Sequence, residues 1–279
     1  MPIQHALTID VEDWFHDDWR VDRGVDWDRL PSTVATEVEQ VLDLLAAAGG
    51  VRATFFVLGD VARRQPDLVR RIAGAGHEIA SHGDAHRRVA TQRRAEFAAD
   101  VRRSLEVLAQ VVGAPVTGYR APYFLTTPRE LWAIEVLAEL GVRYDASYVP
   151  LRWMPYLGRS IPRAPYRHPC GVWEFPLPFA EAFGGWNLPY AGGGTMLRFL
   201  PYATVRRFLL AHQTTIGSAV LYVHPWELQT EVRTLPGTPR HVRLWKRLGR
   251  RRALPSLRRL LEEFRFAPLR EVYAQELAS

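Results

Sequence analysis

The sequence predicts an α/β fold on a parallel sheet, and three observations carry that expectation. Short β-rich runs alternate with longer helical ones from the first residues onward, the pattern of strands joined by crossover helices. The 279 residues are 47% hydrophobic and 24% charged, which supplies a full core and excludes a disordered, collagenous or coiled-coil chain. No internal repeat or flexible linker interrupts them, so residues 1–279 are expected to form one domain, a length that α/β barrels commonly use whole.

Taken in order, Ala6–Val11 is an apolar strand. Ser32–Ala48 is an amphipathic helix with Ser32 or Thr33 as cap, Val34, Val38, Val41, Leu44 and Leu45 as its apolar positions, and Gly49-Gly50 as its stop. Ala53–Val57 is the second strand; Asp60 opens a helix, Pro66 starts another through Ala73, and Gly74–Gly76 ends it. His77–Ala80 reads as the third strand, followed by a loop through His86. Helical periodicity returns over Arg93–Val112, Gly118–Arg120 is a short strand meeting a turn at Pro122, Thr127–Leu140 is a helix closed by Gly141, and Tyr144 begins a strand end. Residues 150–205 concentrate Pro, Trp and Gly and read as a long irregular insert that lines or covers something. Thr204–Thr214 is a helix, Ala219–Val223 a strand and Leu254–Phe266 a closing helix within a C-terminal helical stretch over 240–270.

A single cysteine, Cys170, excludes an intrachain disulfide framework and any multi-cysteine metal centre, so a metal must rest on His, Asp or Glu. The net charge of +6 comes from arginine, since Lys246 is the one lysine among 36 basic residues. A basic surface attracts anionic sugars, lipid headgroups or nucleic acid without choosing among them, and nothing else in the chain points to nucleic acid. The segment Arg240–Arg259 gathers arginines around Leu244, Trp245 and Leu248, which could dock on an anionic membrane or polymer, with a plain solvated helix face as the default reading. Residues 1–12 show no signal-peptide pattern and no run of about 18 apolar residues exists, so the expected place is the cytoplasm, peripheral at most to the inner membrane face.

The chemistry-bearing residues gather where strands hand over to loops, which is where barrel enzymes build their sites. The first cluster is Asp10-Val11-Glu12-Asp13: on a strand Asp10 and Glu12 point the same way, and Asp13 reaches that space only if the chain turns. Crowded carboxylates repel unless they share a cation or a proton; the plain alternative is a solvated turn. The second cluster is Ser81-His82-Gly83-Asp84-Ala85-His86, whose two imidazoles can share one metal. His77-Glu78 invites comparison with the zinc-protease H-E-x-x-H pattern, but His82 comes one residue too late to share a helix face with His77. Third is Arg120-Ala121-Pro122-Tyr123, where proline fixes the turn and arginine can hold a carboxylate; an ordinary turn with an exposed arginine is the alternative. Fourth is Leu221-Tyr222-Val223-His224-Pro225-Trp226-Glu227, an apolar strand delivering His224 to a proline-marked end, a place where a lone histidine is more often a hydrogen-bonded core residue.

In this order the clusters resemble the NodB-homology polysaccharide deacetylases, carbohydrate esterase family 4. The wording T-I-D-V-E-D-W-F-H, G-H-E-I-A-S-H-G, G-Y-R-A-P-Y, Y-D-A-S and H-P-W-E resembles the bacterial branch associated with exosortase and exopolysaccharide loci, from about Ala6 to Phe266. The resemblance implies a distorted (β/α) barrel with one divalent metal, zinc first and cobalt, nickel or iron after it, on an Asp-His-His triad. By position His82 and His86 match the metal histidines and Asp10 the general base. Most members have adjacent aspartates, whereas this chain has Asp10-Val11-Glu12-Asp13, so Glu12 is favoured as carboxylate ligand by spacing and Asp13 by residue type, and both stand.

Arg120 matches the arginine that orients the base, the backbone N–H of Tyr123 the oxyanion donor and His224 the general acid, with Asp145 placed to influence His224 or line the pocket. The implied reaction is N-deacetylation of hexosamine units in an acetylated polysaccharide. Trp153, Tyr156, Trp173, Trp186 and Tyr190 would then offer flat faces to sugar rings, Gly192-Gly193-Gly194 would allow close approach of backbone in a substrate groove, and Arg198 would hold a carboxylate or sugar hydroxyl; core packing is the plain alternative for each aromatic. Three competing functions are weighed: an H-x-D…H iron oxygenase built on His82, Asp84 and His224, which the helix-strand alternation opposes; a non-catalytic glycan-binding member; and an amidase acting on a small metabolite.

Overall fold

The computed structural model describes residues 3–16, 25–125, 128–149, 162–178, 180–181, 187–188 and 192–279. Strand β1 (Gln4–Val11) is buried along all but its first residue, as a central strand covered on both faces must be. Helix α1 (Val34–Ala47) lays Val34, Val38, Val41, Leu44 and Leu45 inward, and Gly49 and Gly50 end it in the left-handed region. Strand β2 (Thr54–Val57), helices α2 (Gly59–Arg64) and α3 (Pro66–Gly74), strand β3 (Glu78–Ser81), helix α4 (Arg94–Val112) and strand β4 (Gly118–Tyr119) follow as the periodicity predicts. Helix α5 (Trp132–Glu139) leads to strand β5 (Tyr144–Asp145).

The stretch expected to be an irregular insert departs from that expectation. Strands β6 (Tyr166–Arg167) and β7 (Trp173–Glu174) form an antiparallel hairpin around a turn with Gly171 at φ +94°, and β7 pairs in parallel with β5, so this part belongs to the main sheet. Strands β8 (Ala180–Glu181) and β9 (Asn187–Leu188) form a separate two-stranded ladder, and helix α6 (Gly194–Phe199) precedes helix α7 (Tyr202–Thr215). Proline and tryptophan density marked a loop; β-propensity at Trp173 and cross-sheet pairing decided otherwise.

Strand β10 (Val220–Val223) pairs in parallel with β1. Helix α8 (Arg240–Arg247) and helix α9 (Arg250–Glu263) follow, then strand β11 (Arg265–Ala267), helix α10 (Leu269–Val272) and helix α11 (Ala274–Ala278). The sequence extended the closing helix through Phe266; instead β11 pairs with Gln4–Ala6 of β1, the part of that strand which β10, matched to Ala6–Ile9, leaves open. An unpaired run of buried backbone donors is costly, so a three-residue strand wins over one more helical turn.

The main sheet runs β10-β1-β2-β3-β4-β5-β7-β6, parallel except for the last pair, with β11 also on β1. Alternation along the strands sorts the two faces: Leu7, Ile9, Val11, Phe55 and Val57 pack with α1 and α9, while Ala6, Phe56, Ala80, Tyr119 and Tyr222 face the inner cluster. This is the distorted β/α barrel architecture that the motifs implied. Its inner face is polar at one level, with Thr8, Asp10 and Arg120 all buried.

Candidate active site

Every strand that carries a sequence cluster ends at the same rim. Asp10 is the penultimate residue of β1, His82 directly follows β3, Arg120 follows β4, Ala146 follows β5 and His224 follows β10, so parallel register alone brings residues far apart in sequence to the carboxyl ends of neighbouring strands.

Arg120 is the centre of the buried layer. Its Nη1 donates to Asp10 Oδ1 and to Thr8 Oγ1, both at 2.7 Å, its Nε donates to the Ala146 carbonyl at 2.9 Å, and its guanidinium lies 4.2 Å from the centre of the Phe56 ring. With Arg120 and Asp10 at 0% and 1% exposure, the pair is a desolvated ion pair and not the exposed arginine of an ordinary turn. Asp10 Oδ2 lacks a hydrogen-bond partner and sits 3.9 Å from His224 Nε2.

Glu12, His82 and His86 each offer one ligand atom within 4.8 Å of the others, and all three are buried. The loop after β3 achieves this through Gly83 (φ +76°) and His86 (φ +49°), which curl it back on itself, while Asp100 takes the Asp84 and Ala85 N–H groups at 2.8 and 3.2 Å. His82 Nδ1 bonds the Arg120 carbonyl at 2.9 Å, leaving Nε2 as its ligand nitrogen, and burial pushes its imidazole down to about 4, so the ring is in the neutral, ligating form. Burial alone would push the Glu12 carboxyl up, but the His86 and His224 rings, each 2.8 Å away, hold it well below the usual carboxylate range. Reciprocally, burial opposes a charge on His224, while Glu12 and Glu227 raise its imidazole well above the ordinary range.

Asp13 lies apart from this group. Its Oδ1 accepts the N–H of Trp14 and the N–H and hydroxyl of Thr33, at 3.1, 3.1 and 3.3 Å, which ties the end of β1 to the start of α1. Between the two carboxylates that sequence left open, the geometry therefore brings Glu12 to the histidines and turns Asp13 away. The side chain at the second alternate position of an extended strand stays on the face of Asp10, and the next one does not.

Two further expectations are corrected. Arg198 is fully buried and its guanidinium donates to the carbonyls of Trp245, Lys246 and Leu248, with Nη1 3.5 Å from Glu227, so it braces a helix end and has no access to substrate. Asp145 is fully buried and is not the partner of His224: it accepts the Ser147 hydroxyl, and burial beside Glu174 raises its carboxyl well above the usual carboxylate range. Glu227 occupies the position expected of Asp145, accepting from His224 Nδ1 at 3.0 Å and from its backbone N–H at 3.3 Å. The H-x-x-E spacing in H-P-W-E, one helical turn, was the signal for it. The three glycines 192–194 do make close approaches, but to the core: an added Cβ would strike Pro178, the Tyr222 ring and the Glu227 carboxylate in turn. Trp173 packs parallel to Phe175, and Trp153, Tyr156, Trp186 and Tyr190 lie outside the described residues. Asp84 is held by Arg63 and Arg103, away from the Glu12 group, which removes the H-x-D…H reading.

Tyr123 sits in the left-handed region at φ +60°, unusual for a non-glycine residue, with its ring 4.7 Å from that of His86 and its hydroxyl 3.3 Å from the His16 carbonyl. His16 itself was not singled out by sequence reasoning. Its Nδ1 accepts the Asp13 N–H at 2.9 Å and its Nε2 faces Asp60 at 3.4 Å, so it fixes the turn that carries Glu12 and Asp13.

Burial pushes the Glu174 carboxyl up to about 7, and burial together with Glu174 raises Asp145 well above the carboxylate range. The native pair retains protons that the unfolded chain releases above about pH 4.5, so stability falls as pH rises from there to about 7, by on the order of 1–3 kcal/mol. Glu174→Gln keeps an acceptor for the Tyr148 N–H and offers its amide to Asp145. Melting temperatures at about pH 5 and about pH 8 should differ less in that variant than in wild type; an unchanged difference would assign the effect elsewhere.

Comparison with known proteins finds similarity over parts of this chain. Residues 24–144 match the polysaccharide deacetylase family. That segment holds His82, His86, Arg120 and Tyr123, while residues 146–274, with His224 and Glu227, match a domain of unknown function. A peptidoglycan-N-acetylglucosamine deacetylase of Bacillus cereus is 35% identical over 86 residues, 30% of this chain and 31% of that protein. A chitooligosaccharide deacetylase of Sinorhizobium fredii is 34% identical over 112 residues, 40% of this chain and 48% of its own length. The chain thus spans less than half of either relative. A crystal structure from Mycobacterium smegmatis, with a suggested polysaccharide deacetylase assignment, covers 100% of this chain and 92% of its own at 22% identity and a TM-score of 0.64, which supports the fold. Among the described residues no helix is long and apolar enough to cross a membrane.

Proposed function

We propose that this chain is a metal-dependent hydrolase that removes N-acetyl groups from hexosamine units of an exopolysaccharide or its precursor. The observation that carries this reading is the meeting, at one rim, of a carboxylate on a buried arginine, a Glu-His-His group and a histidine backed by a second carboxylate.

The residues fit one divalent cation. Glu12, His82 and His86 are a mixed oxygen and nitrogen donor set within ligating reach of one another, and His86 Nδ1 and Asp10 Oδ2 are buried polar atoms without a hydrogen-bond partner. Such a set suits zinc, with cobalt, nickel or iron as alternatives. A bound metal of this kind lowers the pKa of water and polarises an amide carbonyl.

The protein's own groups supply the rest. Arg120 holds Asp10 Oδ1, which fixes the carboxylate's orientation and leaves Oδ2 to take a proton from the attacking water. Tyr123 lies at the turn after Arg120, and its backbone N–H would be the donor that stabilises the charge developing on the carbonyl oxygen. His224 Nε2 gives a proton to the departing amine, and Glu227 keeps the ring oriented through Nδ1. The products are acetate and a free amino sugar.

Glu227→Gln weakens this orientation without opening a cavity, so kcat is expected to fall by about 10- to 100-fold with little change in KM, as for other residues that position a working histidine. Steady-state kinetics with a melting curve as control checks it. The function itself is tested by acetate release from N-acetylglucosamine oligomers and from isolated exopolysaccharide, with and without a chelator. Acetate should appear, vanish on chelation and return with added zinc. Activity that survives chelation, or no acetate from either substrate, would reject the proposal.

A further inference from the structure

Six large hydrophobic side chains stand exposed among the described residues, and three of them, Leu244 (59%), Trp245 (45%) and Leu248 (46%), fall within five consecutive positions at the end of α8. Between Glu231 and Glu262 the chain has no acidic residue but nine arginines and its one lysine. Arg240, Arg243, Arg247, Arg251 and Arg252 are exposed around the apolar three.

This protrusion is held rigidly from behind. Arg198 grips the carbonyls of Trp245, Lys246 and Leu248, while Lys246 and Arg250 turn inward and lie 5.7 and 4.8 Å from the Trp226 ring. Trp226 in turn stacks on the His224 ring at 5.0 Å, so the exposed patch is one packed layer away from the rim of the candidate active site.

We infer that the Leu244-Trp245-Leu248 tip and its arginine collar dock this protein on a bilayer of acidic phospholipid. A hydrated polyanion would satisfy the arginines and could stack on the tryptophan but would leave the two leucines in water, and a second copy of the chain would set like charges against each other. An anionic membrane surface meets both: phosphates for the guanidinium groups, and the acyl boundary for the apolar tip, where an indole is well suited. Docking there would hold the catalytic rim close to membrane-linked glycan, but the docking stands whether or not the proposed hydrolysis does.

Sedimentation of the full chain with vesicles of phosphatidylglycerol and phosphatidylethanolamine, and with phosphatidylcholine alone, tests it. Binding is expected to the acidic vesicles only. Arg247→Glu with Arg251→Glu should weaken it strongly, since each arginine near such a surface contributes about fivefold (about 1 kcal/mol) and reversal costs more. Leu244→Ser with Leu248→Ser, and separately Trp245→Ser, should each weaken it by about tenfold at constant charge. Melting curves confirm that these surface variants fold. Absence of vesicle binding, binding that the leucine and tryptophan variants leave intact, equal competition by duplex DNA, or a dimer in the ultracentrifuge that the leucine variants dissolve would each overturn the inference.

Discussion

Asp10→Asn is expected to lower kcat/KM for acetate release by about a thousandfold, within the range that loss of a general base costs. The substitution is nearly isosteric and its oxygen can still accept from Arg120 Nη1, so the local geometry should persist. What disappears is the negative charge: the amide cannot take a proton from water, and Arg120, fully buried, loses its counter-ion. A second consequence follows on stability. Arg120 keeps its bonds to Thr8 and the Ala146 carbonyl, yet an unpaired buried cation is costly, and a loss of about 3 kcal/mol is expected in a denaturant titration. A variant with near wild-type turnover would remove Asp10 from the reaction. One with normal stability would show that the buried pair is not what holds Arg120.

The second large effect separates the two carboxylates that sequence could not rank. Glu12→Gln should weaken divalent metal binding at least about a hundredfold, since it removes the only carboxylate of the Glu-His-His group and even losses around a ligand cost 10- to 100-fold. Metal content after dialysis, measured by elemental analysis, should fall well below one per chain, and acetate release with it. Asp13→Asn should leave metal content unchanged. Its cost is structural, about 1.5–3 kcal/mol, because Asp13 accepts the Thr33 N–H and hydroxyl that anchor α1. The opposite pattern, with metal lost in Asp13→Asn and kept in Glu12→Gln, would assign the ligand to Asp13.

Residues that carry their own local signal were legible in the sequence. The helix of Val34–Ala47 showed in its apolar spacing and its glycine stop, the inward strands in their apolar runs, and the carboxylates, histidines and arginine of the site in their placement at strand ends. Glu227 was visible only as the last letter of H-P-W-E, and His16 only inside a longer run, because neither has a pattern of its own apart from the residue it supports. Arg198 was misread for a related reason. An arginine in a glycine- and tryptophan-rich stretch looks available for substrate until the carbonyls at the end of α8 are seen around it.

By itself, then, the chain's order of residues determined the alternating α/β plan and which side chains would stand at the carboxyl ends of strands. Periodicity and chain punctuation act within a few residues, so they can be read without coordinates. Which of Glu12 and Asp13 meets His82 and His86, that Asp145 pairs with Glu174 and leaves His224 to Glu227, and that Arg265–Ala267 completes β1 were decided only in three dimensions. Each depends on groups distant in sequence competing for the same buried hydrogen-bond partner, and that competition is settled by packing and desolvation.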